Sequence, residues 1–381
     1  MFYILYRRYI PNTAVSNRLL AFARGFSELG IETEVVMFSP NENYDKIGLS
    51  LPNVHFNHCW ERHYINRGVL KYISIFSYML GFVRKLNKGD KVMLMGGTDI
   101  LPLLLKKKGI DIYVERTEHP DVIAIGNAFF KVTPKQEIDN FKRIKGLFVI
   151  TSALKRYYIE NGIRNDIIHI INIVTDVERF KNLKRASVRD RYIAYCGTVS
   201  NNKDGVDELI KAFAITAKSH PDVKLYIIGP IPKKEEEKVN LKLIDDLGIS
   251  DQIVFTGLVP AKQMPQLLKN AEVLALDRPD NMQAKYGFAT KMGEYLLSER
   301  PVVVTKVGDF PLFFKDGESA LLANPSDAND FATKLNWALD NPKAAERIGK
   351  RGAEVAMREF NYITESKKIA DVIFNSSGSY T

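Results

Sequence analysis

The chain is poor in cysteine. Cys59 and Cys196 are its only two, far apart in 381 residues. That excludes a disulfide framework and any Cys-based metal-ligand spacing, and suits a reducing, cytoplasmic compartment. Long apolar runs are also missing. The nearest approach to a spanning segment, Val69 to Val83, carries Lys71, Ser74 and Ser77, and a membrane span needs roughly 18 unbroken apolar residues. The stretch reads as a core helix; the alternative is a lipid-touching face made by Tyr72, Phe76, Tyr78 and Phe82. Met1 to Tyr6 is too short for a secretory apolar segment and reads as a first strand. No Gly-x-Gly-x-x-Gly follows that strand, which argues against a Rossmann dehydrogenase. No Asp-x-Asp metal motif is present, and no metal site is expected.

What is present is ordinary globular composition, 45% hydrophobic and 26% charged, in a chain long enough for two domains. The net charge of +9 is unevenly placed. Met1 to Asn172 holds 24 basic and 16 acidic residues, a balance of +8, and the remainder is +1. A basic half suits an anionic membrane surface or an anionic acceptor; a merely solvated surface is the plainer alternative. Nucleic acid is not expected as a partner, because the basic residues do not interleave with aromatics.

The second half alternates strand and helix. Strands are predicted at Tyr192–Cys196, Val223–Ile228, Gln252–Thr256, Val273–Leu276, Pro301–Thr305 and Ser319–Ala323. Helices are predicted at Gly205–Ser219, Lys233–Leu247, Lys262–Asn270, Gly287–Ser298 and Asp327–Leu339. The first half shows the same rhythm less cleanly, with strands at Phe2–Tyr6, Glu34–Phe38, Lys91–Met95, Ile112–Arg116, Gly146–Ile150 and Ile167–Ile170. Helices there are predicted at Val15–Leu29, Val69–Leu86, Ile100–Lys108 and Ser152–Asn161. Such alternation implies parallel sheets covered on both faces. The expected domains are 1–172 and 173–361, with a C-terminal helical segment, 362–381, packing back on the first. Ligands of such sheets bind beyond the carboxyl ends of the strands, here at turns beginning with Gly197, Gly229, Gly257, Asp277 and Lys306.

Two of those turns carry chemistry. After the strand at Val273–Leu276, the segment Tyr286-Gly287-Phe288-Ala289-Thr290 opens a helix, whose first amides favour a phosphate. Glu294, about one turn in, can accept from the two hydroxyls of a ribose. Read alone, this is equally a plain helix start capped by Thr290. After the strand at Tyr192–Cys196, the loop Gly197-Thr198-Val199-Ser200-Asn201-Asn202-Lys203 offers hydroxyls, amides and one lysine, a point charge suited to a diphosphate. Read alone, it is a polar loop capped by Asp204.

Taken together, the two segments resemble the family-4 retaining glycosyltransferases (glycosyl transferases group 1) of the GT-B fold. The resemblance is strongest from Tyr192 to Ala323. It implies two Rossmann-like, doubly wound α/β domains facing across a cleft, the first binding the acceptor and the second the nucleotide-sugar. In that family a Gly-Arg/Ser-x-x-x-x-Lys-Gly loop holds the donor diphosphate, and a Glu-Gly-Phe-x-x-x-x-x-Glu segment holds sugar and ribose. Gly197, Lys203, Gly287, Phe288 and Glu294 match. Thr198 stands where arginine is usual, which shifts the diphosphate charge onto Lys203 with Arg278 as helper. Tyr286 stands where the first Glu is usual, leaving sugar contacts to Tyr286 or Gln283. Phe255-Thr256-Gly257-Leu258-Val259 matches the stretch whose backbone touches the base, and Gly229 belongs to the same donor site. His119 matches a histidine near the donor sugar, with Glu118 beside it as a carboxylate able to take the acceptor proton; a structural turn before Pro120 is the alternative. Arg7, Arg8 and Arg18 leave the first strand in the expected acceptor loop, where they meet an acceptor phosphate or stand as surface charges.

The activity so implied is transfer, with retention, from a UDP- or GDP-linked sugar to a glycan or lipid-linked saccharide, as in bacterial cell-surface polysaccharide synthesis. The expected location is cytoplasmic, peripheral at the inner membrane face. No cofactor beyond the donor is implied. A nucleotide-sugar 2-epimerase and a non-catalytic sugar-nucleotide-binding protein on the same fold are the competing readings.

Overall fold

The computed structural model describes residues 1–11, 13–38, 47–58, 68–96, 100–123 and 132–375. Cys59 and the Ser/Gly tail 376–379 lie outside them. The chain divides into two compact units, Met1–Val174 with Tyr362–Thr381, and Thr175–Asn361.

The first unit holds a seven-stranded sheet: β1 (Phe2–Tyr6), β2 (Thr33–Met37), β3 (Val54–His58), β4 (Lys91–Met95), β5 (Asp111–Arg116), β6 (Gly146–Val149) and β7 (Ile168–Ile170). The order is 3-2-1-4-5-6-7, and every pairing is parallel. Central strands such as β4 and β6 are apolar nearly throughout, as burial on both faces requires. The helix Ala14–Glu28 starts at Thr13, whose hydroxyl accepts from the Ser16 N–H at 3.4 Å. It packs beside the helix Tyr362–Ala370. Gly25 allows the approach, because a Cβ there would lie 2.0 Å from Ser366 Oγ. Ile369, Ala370 and Ile373 join Phe2, Phe22 and Phe26 in one core.

The second unit holds β8 (Arg191–Cys196), β9 (Val223–Ile228), β10 (Ile253–Gly257), β11 (Val273–Leu276), β12 (Val302–Thr305) and β13 (Leu321–Ala323), again all parallel, in the order 10-9-8-11-12-13. Both sheets are doubly wound, each with a reversal of strand order, at β1/β4 in the first and β8/β11 in the second. Crevices for ligands open at such reversals. Among the described residues, no helix is long and apolar enough to cross a membrane.

Three local expectations change. The helix expected over Gly287–Ser298 spans only Lys291–Leu297, and a separate short helix, Met282–Tyr286, precedes it. Asn281 caps the earlier helix by accepting from the Ala284 N–H at 2.9 Å, and extended backbone at Gly287 ends it. Thr290 makes no side-chain cap for the later one. The helix expected over Ile100–Lys108 spans only Leu101–Leu104. Strand β3 and the helix Pro134–Phe141 are additions.

Candidate active site

In the second unit the site grows from a close approach of backbones at the ends of β8 and β9. A Cβ on Gly229 would sit 2.0 Å from the Gly197 carbonyl oxygen, so only glycine fits. The Gly197 N–H donates to Ile228 O at 2.9 Å, and the Val199 N–H to Pro230 O at 2.9 Å. The loop then turns through Asn201–Asp204, where Ser200 Oγ accepts from the Lys203 N–H at 3.3 Å. Gly205, left-handed at φ 59°, closes that turn against β11's end, where a Cβ would lie 1.9 Å from Asp277 O. Thus the loop after β8 is fastened to the segment after β11 at the strand-order reversal.

Thr198 and Lys203 are exposed on this loop, while Asp204 is buried beneath it. Asp204 Oδ2 accepts from Tyr195 OH at 2.7 Å and from Lys291 Nζ, and Arg278 Nε stands 3.9 Å from Oδ1. Burial raises the Asp204 pKa, but Lys291, Tyr195 and Arg278 outweigh it and hold the carboxyl below its ordinary value. Burial lowers the Lys291 pKa against the pull of Asp204. Lys291 Nζ also donates to Tyr195 OH at 3.2 Å. Burial pushes the Cys196 thiol, at the end of β8, up to about 12.

Gly287 and Ala289 are buried, and Phe288 anchors the segment in an aromatic cluster with Phe310, Phe313 and Phe360, at centroid distances of 4.9, 5.5 and 5.5 Å. Thr290 is half-buried, as is Tyr286, whose ring centroid lies 5.3 Å from Lys285 Nζ. Arg278 is buried and donates from Nη2 to Gln283 O at 3.4 Å. Glu294 is half-buried and ion-paired through Oε1 with Arg179 Nη1. Arg179 Nη2 in turn donates to Ala261 O at 2.9 Å. One guanidinium therefore ties Glu294 to the loop carrying Leu258 and Val259, the former 77% exposed.

In the first unit, Arg7 is half-buried and Arg8 exposed just beyond β1. Arg18 differs from the expectation of a ligand-facing charge. It is 4% exposed, and its guanidinium donates to Glu115 Oε1 at 2.8 Å, Asn172 O at 2.6 Å and Ile171 O at 3.2 Å. Three acceptors inside the unit make it a structural strut. Glu118 is half-buried after β5. His119 is buried; its Nδ1 accepts from the Asp121 N–H at 3.3 Å and its ring packs edge-on to Tyr157, 4.3 Å between centroids.

Sequence reasoning missed Arg179, Lys291 and the buried role of Asp204. Lys291 had a signal, since it stands between Thr290 and Glu294. Arg179 had none, lying where periodicity lapses.

Residues 176–355 match the family described as glycosyl transferases group 1. The chain is 27% identical to an MMP alpha-(1->4)-mannosyltransferase of Mycolicibacterium hassiacum, over 58% of this chain and 52% of the relative. It is 23% identical to a poly(ribitol-phosphate) alpha-N-acetylglucosaminyltransferase of Staphylococcus aureus, over 73% of this chain and 53% of the relative. The chain thus spans about half the length of the curated relatives it matches. Among solved structures, Anabaena HepE in complex with UDP and glucose has a TM-score of 0.73 at 15% identity and covers 99% of each chain. A mutant of S. aureus TarM in complex with Fondaparinux, alpha-GlcNAc-glycerol and UDP has a TM-score of 0.75 at 13% identity, covering 98% of this chain and 99% of that one. The fold is the GT-B class of two Rossmann-like domains.

Proposed function

We propose that this chain is a retaining glycosyltransferase that moves a sugar from a UDP- or GDP-linked donor to a glycan or lipid-linked saccharide, as in bacterial cell-surface polysaccharide synthesis. The observation carrying this reading is the junction of the Gly197–Lys203 loop with the segment after β11, at the strand-order reversal of the second unit. A nucleotide's diphosphate meets the exposed Lys203 and the loop backbone there, and its ribose meets Glu294. As the glycosidic bond breaks, charge gathers on the departing diphosphate, and a fixed cation beside it stabilises the transition state. The leaving phosphate takes the acceptor's proton as the hydroxyl attacks from the same face. In this reading Gly229 and the 258–259 backbone border the nucleoside, Arg278 lends charge from below, and Tyr286 faces the sugar. In the first unit, His119 hydrogen-bonds a sugar hydroxyl with Glu118 beside it, and Arg7 and Arg8 serve an anionic acceptor. The nucleotide-sugar is a substrate, and the reading calls for no resident cofactor.

The test is a time course of donor anomeric protons by NMR, with and without a saccharide acceptor. Transfer predicts acceptor-dependent donor loss and a product with the donor's anomeric configuration. Conversion to a second nucleotide-sugar without acceptor would make it an epimerase, and an inverted product would exclude retention.

The reading includes peripheral binding to an anionic membrane. Support comes from the basic first half and from the helix Gly68–Lys85, which exposes Leu70, Ile73 and Phe76 and ends in Arg84 and Lys85. Co-sedimentation with phosphatidylserine vesicles at low salt, lost at high salt, is expected; no binding at low salt would remove this part.

A further inference from the structure

The loop after β8 faces a charge problem. A nucleoside diphosphate leaves with a charge of about −3, and the loop's exposed cation is Lys203, with neutral Thr198 beside Gly197. Geometry supplies a second cation from another segment. Lys291 Nζ abuts Gly197 on the side where a side chain would project, since a Cβ there would lie 2.3 Å from it. Glycine at 197 is therefore what admits the ammonium to the loop. Asp204 pairs with the Lys291 ammonium, and Tyr195 OH fixes its direction by bonding both of them. Asp204 does not cancel the site's charge, because Arg278 Nε also stands 3.9 Å from it; two cations surround one carboxylate. Arg278 cannot itself reach a ligand, its side chain being 3% exposed, whereas that of Lys291 keeps 17%.

We propose that Lys291 is a donor-binding residue, the second cation for the diphosphate, reaching it past Gly197 in place of a charged side chain at position 198. This rests on the reading of the Gly197–Lys203 loop as the diphosphate site. It assigns to one segment two contacts with the nucleotide: Glu294 for the ribose and Lys291 for the phosphates.

The experiment is calorimetric titration of the full chain with UDP, GDP, uridine and guanosine. Lys291→Met would leave Asp204 buried beside fewer cations and risks misfolding, so the double variant Lys291→Met/Asp204→Asn is made alongside it. Both are expected to bind the nucleoside as wild type does and to lose nucleoside-diphosphate affinity by at least about tenfold, the scale of one charge-assisted hydrogen bond. Adding Thr198→Arg to the double variant is expected to restore affinity to within about threefold of wild type. An equal loss for nucleoside and diphosphate, or no loss for either, would overturn the assignment, and so would failure of Thr198→Arg to restore binding. If the wild type binds neither diphosphate, the reading of the loop itself fails.

Discussion

Replacing Lys203 or Glu294 by alanine is expected to cut turnover by at least about a hundredfold, the scale of losing one preorganised transition-state donor. The two losses differ in kind. Lys203 is exposed on a loop whose backbone is held by Gly197, Gly205 and Gly229, so its removal leaves the scaffold intact. In the proposed reading Lys203 faces a charge that grows as the diphosphate leaves, so its effect is expected on kcat. In the same reading Glu294 holds a ribose that does not react, so its loss is expected to fall partly on KM. It also frees Arg179, whose Nη1 pairs with it and whose Nη2 holds Ala261 O at 2.9 Å. The base-side loop then loses part of its support, and KM rises further. Steady-state kinetics on purified variants whose melting points match wild type measure both effects. Near wild-type rates for both variants would remove the assignment of these segments.

The pH dependence of stability should carry the mark of Asp277. This side chain, just past β11, is 2% exposed, and its Oδ2 has no hydrogen-bond partner among the described residues. Burial, then the nearby carboxylates of Glu208, Asp207 and Asp327, push it up to about 8. In the unfolded chain an aspartate titrates near 3.9. From about pH 4 to pH 8 the native state therefore keeps a proton that the unfolded state releases. The stability linked to that proton is complete below the unfolded value and is lost as pH rises through the folded one. Asp277→Asn removes the titration. Its stability relative to wild type is expected to rise between pH 5 and pH 8 by on the order of 3 kcal/mol, roughly 6–12 °C in melting point for a domain of this size, then level off. Parallel pH profiles for the two proteins would show that Asp277 is not held protonated.

The fold was legible where burial on both faces forces apolar runs. Val273–Leu276 and Val302–Thr305 are wholly buried, and each reads as a strand without help. Strand β3 escaped notice because it lies at the sheet's edge and alternates buried Val54 and His58 with exposed His55 and Asn57, so its run is broken by polar residues. The segment after β11 was legible as a helix start but not as two short helices, since the break depends on the backbone at Gly287. The site's exposed groups, Thr198 and Lys203, read directly from loop chemistry. Its buried charges did not, because their partners are remote in sequence. Lys291 meets Asp204 across 87 positions, and Arg179 meets Glu294 across 115. Arg18 shows the converse. Beside Arg7 and Arg8 it reads as another ligand-facing charge, yet Glu115, 97 positions on, draws it inside.

The central claim is that the Gly197–Lys203 loop and the Tyr286–Glu294 segment together bind a nucleoside diphosphate. A thermal-shift screen with UDP, GDP and ADP, run on wild type and on the Lys203→Ala/Glu294→Ala double variant, tests it most directly, since a ligand that binds only the folded state raises its melting point. A concentration-dependent rise is expected for wild type with UDP or GDP, and no rise for the double variant. No rise for wild type with any of the three, or an equal rise for both proteins, would contradict it.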